Sequence, residues 1–326
     1  MKESNTPSTT FCSRLLQSSY AGFLAGARTW WWISKITVIT TFLVTLLQWS
    51  GLIGVISEVT SDFFALFGLS TEGVIIFMTT ALANIYAGIG VMATLVVDFR
   101  EATLLAVMGL ICHNLIVETI IQRKSGASAT GMILLRISAA LIAATAMNWI
   151  LPDSYSGELI IERAAPLEGV TLSASLATWA LNMLHLIPLM LLVIGGLNTI
   201  QQILREFNVI DLISKPFAPL MALFGLRADS SLIWLILNTL GLAYGGSIMI
   251  TQRKEDTLSL KESRLLNTHI AVSHSLLEDT LLYFALGLSL FWLMVPRLIL
   301  AIVAVWVQRL YGLFRSRRTT KIKGEF

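Results

Sequence analysis

Eight stretches of this chain are long and apolar enough to cross a bilayer: 33–56, 74–97, 102–121, 132–151, 176–204, 232–251, 265–288 and 290–313. A helical span needs roughly 20 apolar residues. In hydrocarbon every backbone N–H and C=O must find its partner inside the protein, so only helices and closed barrels cross. The apolar positions here do not alternate, which favours helices. The expected fold class is therefore all-α integral membrane, a polytopic helical bundle. Composition agrees, with 13% charged residues against roughly 25% in soluble domains.

The net charge of +3 is small, and its placement is more informative than its size. Arg315, Arg317, Arg318, Lys321 and Lys323 crowd the C-terminus. By the positive-inside rule this tail, 314–326, is cytoplasmic in a multi-pass inner-membrane protein. The partner implied is the lipid bilayer; the basic residues form no nucleic-acid footprint. Cys12 and Cys112 form no metal or redox motif. No removable signal peptide is expected, the first span serving as its own membrane signal.

The N-terminal segment 1–32 is polar for ten residues and then amphipathic. Phe11, Leu15, Leu16, Phe23, Leu24 and Ala27 fall at helical spacing among Arg14, Gln17, Ser18 and Arg28. The pattern predicts a helix lying in the interface, ended by the headgroup-seeking triplet Trp30–Trp32. A pair of packed helices is the competing reading. Glu58–Glu72 reads as a second interfacial segment. Beyond it the chain divides into 33–151, an acidic external linker 152–175, and 176–313.

The two long segments repeat each other. Ala65–Leu69 (ALFGL) recurs as Ala222–Leu226, an offset of 157 from Leu69 to Leu226. Tyr86 and Tyr244 are 158 apart; His113 and His274, Glu118 and Asp279, and Arg136 and Arg297 are each 161 apart. Order and spacing hold over most of each half, which marks a duplicated unit.

Glycines interrupt one span in each half, at Asn84, Tyr86, Gly88 and Gly90, and at Asn238, Tyr244, Gly245, Gly246 and Ser247. Glycine weakens a helix, and irregular backbone at membrane depth survives where protein or a cavity covers it. These segments read as broken helices or re-entrant hairpins with those residues at the tips; close helix packing through glycine is the alternative. If 74–97 and 232–251 enter and leave on one side, each half crosses three times and the halves are inverted repeats. Arg123, Lys124, Arg205, Lys215, Arg227, Arg253, Lys254, Lys261 and Arg264 then lie inside, and Glu58, Asp62, Glu72 and the acidic linker outside.

Ionisable residues at bilayer depth mark function by default. The candidates for solute binding or proton relay are His113, Asn114, Glu118 and Arg136 in the first half. In the second they are His274, Ser275, Glu278, Asp279 and Arg297. On an unbroken helix Asn114 and Glu118 share a face, as do His274 and Glu278, while His113 lies about 140° from Glu118. The other reading makes Glu118–Arg136 and Asp279–Arg297 structural ion pairs. His185 and His269 have no counterpart in the first half and read as local features. Two histidines with nearby carboxylates admit a divalent ion, yet the spacing matches no dedicated metal motif, and none is expected. No nucleophile motif, phosphate loop or dinucleotide fingerprint is evident, so neither an enzyme nor a cofactor is expected.

The glycine-broken segment after ALFGL, followed by the span with His113–Glu118 (HNLIVE), resembles the Gate or nucleoside-recognition membrane family. That family includes spore-maturation membrane proteins, ferrous-iron permeases and part of the concentrative nucleoside transporters. The resemblance covers roughly Gly51–Leu151 and Asn208–Leu310. It implies two inverted Gate-type repeats with hairpins near the bilayer centre, and it places a ligand near 84–90 and 238–247. The chain lacks the nucleoside transporters' additional scaffold helices and the iron permeases' attached GTPase domain. The expected function is transport of a small polar solute, nucleoside-like by resemblance, coupled to an ion or proton, with self-association left open. A non-transporting assembly or scaffold factor and a divalent-metal permease are the alternatives.

Overall fold

A computed structural model describes residues 11–52, 55, 62–95, 97–157, 159 and 171–323, with backbone alone at 48 and 314–323. Among the described residues the chain is helical, with no strand. The helices are α1 (Phe11–Trp49), α2 (Thr71–Leu82), α3 (Ile85–Met92), α4 (Phe99–Cys112), α5 (Leu115–Lys124), α6 (Ala129–Ile150), α7 (Leu172–Glu206), α8 (Val209–Leu223), α9 (Ser231–Thr239), α10 (Gly241–Lys254), α11 (Leu260–Ser273), α12 (Glu278–Ala285) and α13 (Leu290–Lys323). The protein is a polytopic membrane protein. Among the described residues, five helical segments are long and apolar enough to span: 11–47, 99–124, 129–150, 172–206 and 290–313.

The duplicated phrase has one local structure in both halves. Gly68 (φ 73°) and Gly225 (φ 70°) adopt the left-handed conformation. Leu69 N–H donates to Phe64 O at 3.2 Å and Leu226 N–H to Met221 O at 2.7 Å. Gly68 and Gly225 N–H reach back to Ala65 and Ala222 O. This pattern closes the last turn of a helix and favours glycine at the left-handed position. The expected interfacial segment 58–72 is described only from Asp62, where one helical turn covers 62–65.

The spans 74–97 and 232–251 do not cross as single helices. Each folds into a pair of short helices, α2–α3 and α9–α10, lying against each other. Glycine provides the close approach: a Cβ at Gly88 would stand 2.9 Å from Thr80 Cβ, and one at Gly245 would stand 3.0 Å from Leu237 Cα. Re-entry and glycine packing, set apart above, are thus one feature. The turns fall at Ala83–Asn84 and Leu240–Gly241, upstream of most of the expected tip residues. Asn84 caps α3 through its Oδ1, 2.8 Å from Ala87 N. Tyr86, Gly88 and Gly90 lie along α3, and Tyr244, Gly245, Gly246 and Ser247 along α10. Asn238 is in the last turn of α9.

The spans 102–121 and 265–288 are broken. The first stops at Cys112 and resumes at Leu115; the second stops at Ser273 and resumes at Glu278. Nearly every side chain of α4 is buried. A helix apolar and buried all round is a core helix, and α4 holds the centre of the main apolar cluster. Its counterpart α11 is buried from Leu266 to Ser273, but with Asn267, Thr268, His269 and Ser273 among the apolar residues. Each half therefore holds a long helix, a re-entrant pair, a broken helix and a final helix.

Among the described residues, the segment expected as an interfacial helix over 1–32 is continuous with the first span. α1 runs unbroken for 39 residues, about 58 Å at 1.5 Å per residue, and pairs antiparallel with α7 along its length. Arg14 Nε lies 2.8 Å from Glu206 Oε1, Trp30 Nε1 donates to Ile187 O at 2.8 Å, and Trp179 Nε1 donates to Thr41 Oγ1 at 3.0 Å. Gly22 and Gly26 sit against the backbone of Thr199 and Gly195, which lets the axes approach. Of the polar residues of the segment, Arg14 meets a neighbouring helix, while Gln17 and Arg28 are exposed. The acids Glu158, Glu162 and Glu168 of the linker lie outside the described residues. Its start folds under α4, with Tyr155 5.4 Å from the Phe99 ring.

Candidate functional site

The two helix breaks are built alike. Asn114 (φ 48°) and Ser275 (φ 53°) adopt the left-handed conformation and turn the chain. Asn114 N–H donates to Thr80 O at 3.4 Å, and Ser275 N–H to Leu237 O at 3.3 Å. Each break thus leans on the re-entrant pair of its own half.

A helix that stops at membrane depth leaves carbonyls without partners. The arginines supply them. Arg136 Nε donates to Ile111 O at 2.8 Å and Nη2 to His113 O at 2.6 Å. Arg297 Nε donates to Val272 O at 3.3 Å, and its Nη2 to His274 O. The acceptors correspond at the same offset as the arginines. Both guanidiniums are completely buried.

The C-terminal ends of α4 and α11 point at each other, and their terminal histidines meet. The imidazole centroids are 4.8 Å apart, and His113 Nε2 is 3.3 Å from His274 Nε2. Each Nδ1 sits on the carbonyl four residues back: His113 on Gly109 O at 3.0 Å, His274 on Ile270 O at 2.9 Å. Glu118 bridges the pair, with Oε1 3.2 Å from His113 Nε2 and Oε2 3.0 Å from His274 Nε2. Arg136 Nη1 holds the same carboxylate at 2.7 Å. Asp279 Oδ2 lies 3.1 Å from His113 Nε2. His113, Glu118, His274 and Asp279 are all buried.

Three expectations change. His113 and Glu118, about 140° apart on an unbroken helix, are in contact because the helix breaks between them. His274 and Glu278, on one face of an unbroken helix, are separated by the second break. Glu278 instead accepts from Gln201 Nε2 of α7 at 3.0 Å and lies beside the Leu240–Gly241 turn. The Glu118–Arg136 pair is formed, but Asp279 and Arg297 form no ion pair among the described residues. Arg297 Nη1 donates to Thr280 Oγ1 at 3.1 Å, while Asp279 crosses to the other half.

Among the expected turn residues, Asn84, Tyr86, Gly88 and Gly90 are buried, Gly90 against Thr37 and Thr41 of α1. Asn238 Nδ2 donates to Trp234 O. Tyr244 lies away from the centre, its ring 4.1 Å from the Arg205 guanidinium, and Ser247 is exposed. Gly246 packs on Ile121 of α5. His269 packs on Phe224 and accepts from Trp234 Nε1 at 3.2 Å; His185 is exposed. Both are local, as their lack of counterparts suggests.

A polar seam was not anticipated. Glu118, Gln122 and Ser125 share a face of α5, and Ser263, Asn267 and His274 a face of α11; all are buried. Gln122 Nε2 donates to Asn267 O at 3.3 Å, Asn267 Nδ2 to Ser125 Oγ at 2.9 Å, and Ser263 Oγ to Ser125 O. The three-and-four spacing of these residues was its signal in the sequence.

Comparison with known proteins finds a relative in Bacillus subtilis (strain 168), the "Uncharacterized membrane protein YvoD". It is 31% identical over 292 residues, covering 87% of this chain and 91% of that protein. No protein-family model matches the chain, and no solved structure matches it.

Proposed function

We propose that this chain, which belongs to the family of the membrane protein YvoD, is a secondary-transporter-type permease that moves a small polar solute and couples its flux to a cation. The observation that carries the reading is the meeting of two broken helices at buried histidines, carboxylates and arginines. Discontinuous helices at the interface of inverted repeats are where transporters hold substrate and coupling ion. Buried charge is costly in hydrocarbon and persists where it is paired or used. The resemblance to the Gate family supports the same unit of re-entrant pair and broken helix, and it makes nucleosides the first solutes to test. The chemistry is binding and release rather than catalysis. The basic end of α13 lies on the cytoplasmic side of the inner membrane in this reading.

Reconstituted proteoliposomes on a solid-supported membrane test it with a panel of nucleosides, bases, amino acids and small organic acids. The expected result is a solute-dependent charge movement in wild type that disappears in E118Q, with E118Q still monodisperse in detergent. A folded wild-type protein that gives no signal above empty liposomes with any solute refutes transport and leaves the scaffold reading.

A further inference from the structure

Both histidines hold a carbonyl oxygen at Nδ1, at 3.0 Å for His113 and 2.9 Å for His274. A carbonyl only accepts, so a ring proton sits on Nδ1, and in the neutral ring Nε2 then presents its lone pair. The two Nε2 atoms then face each other at 3.3 Å. Glu118 sets its oxygens at 3.2 and 3.0 Å from them, and Asp279 Oδ2 stands 3.1 Å from His113 Nε2. Electron pairs converge from four side chains of both halves. Arg136 Nη1 stands 2.7 Å from Glu118 Oε2, the oxygen that also faces His274 Nε2. In a buried site such an arrangement repels itself unless a positive centre sits inside it.

We propose that His113 Nε2, His274 Nε2 and the Glu118 carboxylate bind a divalent transition-metal ion, with Asp279 beside the fourth position. The spacing fits. Ligands at about 2.0–2.1 Å from a tetrahedral ion stand roughly 3.3 Å from one another, which matches the separations of these atoms. The donor atoms of His113, Glu118 and His274 all lie within 4.8 Å of one another. Imidazole with carboxylate suits zinc, iron(II), manganese or cobalt rather than calcium or magnesium. The surroundings are those of a ligand set. Each imidazole donates its other N–H to a backbone carbonyl, and Glu118 is held by Arg136, as the outer partners of metal ligands are. The seam of Gln122, Ser125, Ser263 and Asn267 leads from this point to the α5–α6 turn, and Gln122 Oε1 within it is buried without a partner among the described residues.

This deepens the permease reading by naming the class of the cation. It rests on that reading for the ion's role but not for its binding.

The test uses full-length protein in detergent, purified on a tag free of histidine, stripped with chelator and titrated with Co²⁺ as the probe. Wild type is expected to bind one Co²⁺ per chain with the visible absorption of a low-symmetry site, and X-ray absorption is expected to show two imidazoles. H113Q, H274Q and E118Q are each expected to weaken binding by at least 10–100-fold, on the order of what loss of an outer-shell partner alone costs. H185Q, at an exposed histidine, leaves binding unchanged. Substoichiometric binding to folded wild type overturns the site and leaves a shared proton at the pair. A bound ion without imidazole ligands, or equal binding by all variants, overturns it too. The wild-type spectra stand even where a variant fails to fold. Bound metal without flux refutes the permease, and flux without bound metal refutes the site.

Discussion

Replacing Arg136 separates the two arginines, which occupy equivalent positions but do unequal work. Its Nη1 faces Glu118 at 2.7 Å, and its other nitrogens close α4 through Ile111 O and His113 O. R136M leaves the buried Glu118 carboxylate without its cation, a loss of about 3–5 kcal/mol. It also strips two charge-assisted hydrogen bonds of about 1.5–3 kcal/mol each. The double variant R136M/E118Q removes the stranded charge and is expected to recover most of the first quantity and none of the second. A double-mutant cycle should therefore give a coupling of about 3–5 kcal/mol between Arg136 and Glu118. The same cycle on R297M and D279N should give a smaller coupling, because Arg297 spends its Nη1 on Thr280 and Asp279 faces His113. Reversible unfolding in mixed micelles with rising dodecyl sulfate, followed by tryptophan fluorescence, reads all six variants. Equal couplings in the two halves would refute the asymmetry and restore a Asp279–Arg297 ion pair.

Three further outcomes follow from the same geometry. At the left-handed Asn114 and Ser275, N114G and S275G should leave the unfolding midpoint nearly unchanged. N114V and S275V should each cost about 1–2 kcal/mol, since a β-branched side chain resists φ near 50°. G88A and G245A force a Cβ into Thr80 and Leu237 and should cost about 1–3 kcal/mol each. G196A, with nothing within 4 Å of its new Cβ, should be neutral or stabilising by about 0.5–1 kcal/mol in the same assay. In a C12S background, with Cys112 buried, D153C should react with an impermeant maleimide from outside intact cells and E255C only after permeabilisation. Labelling of both from one side would overturn the inverted arrangement.

Much of this protein is legible in its sequence because the governing signals are local or repetitive. A bilayer demands long apolar helices, and 132–151, 176–204 and 290–313 announce themselves by hydropathy alone. The left-handed glycine of ALFGL needs only its own turn, so the same letters give the same closing turn twice. The offset of 161 ties each histidine to an acid and an arginine without any knowledge of contacts. The pattern over 1–32 leaves its partner open for the opposite reason: Arg14 holds an amphipathic position whether it meets a headgroup or Glu206 on a distant helix.

The candidate site itself is decided by tertiary structure. A helical projection of HNLIVE puts His113 and Glu118 on different faces, because nothing in six apolar-rich letters shows that Asn114 will turn left-handed. That turn is sustained from outside the segment, by the Thr80 carbonyl and by Arg136 at the stranded end of α4. The cross-half contacts are further from view still. Whether Asp279 meets Arg297 or His113 depends on how two inverted units rotate against each other. That rotation is set by contacts between the halves, which include α13 against α4 and α11 against α6. The sequence determined that two His–acid–arginine units exist; the meeting of the two helix ends decided that they stand in one cluster.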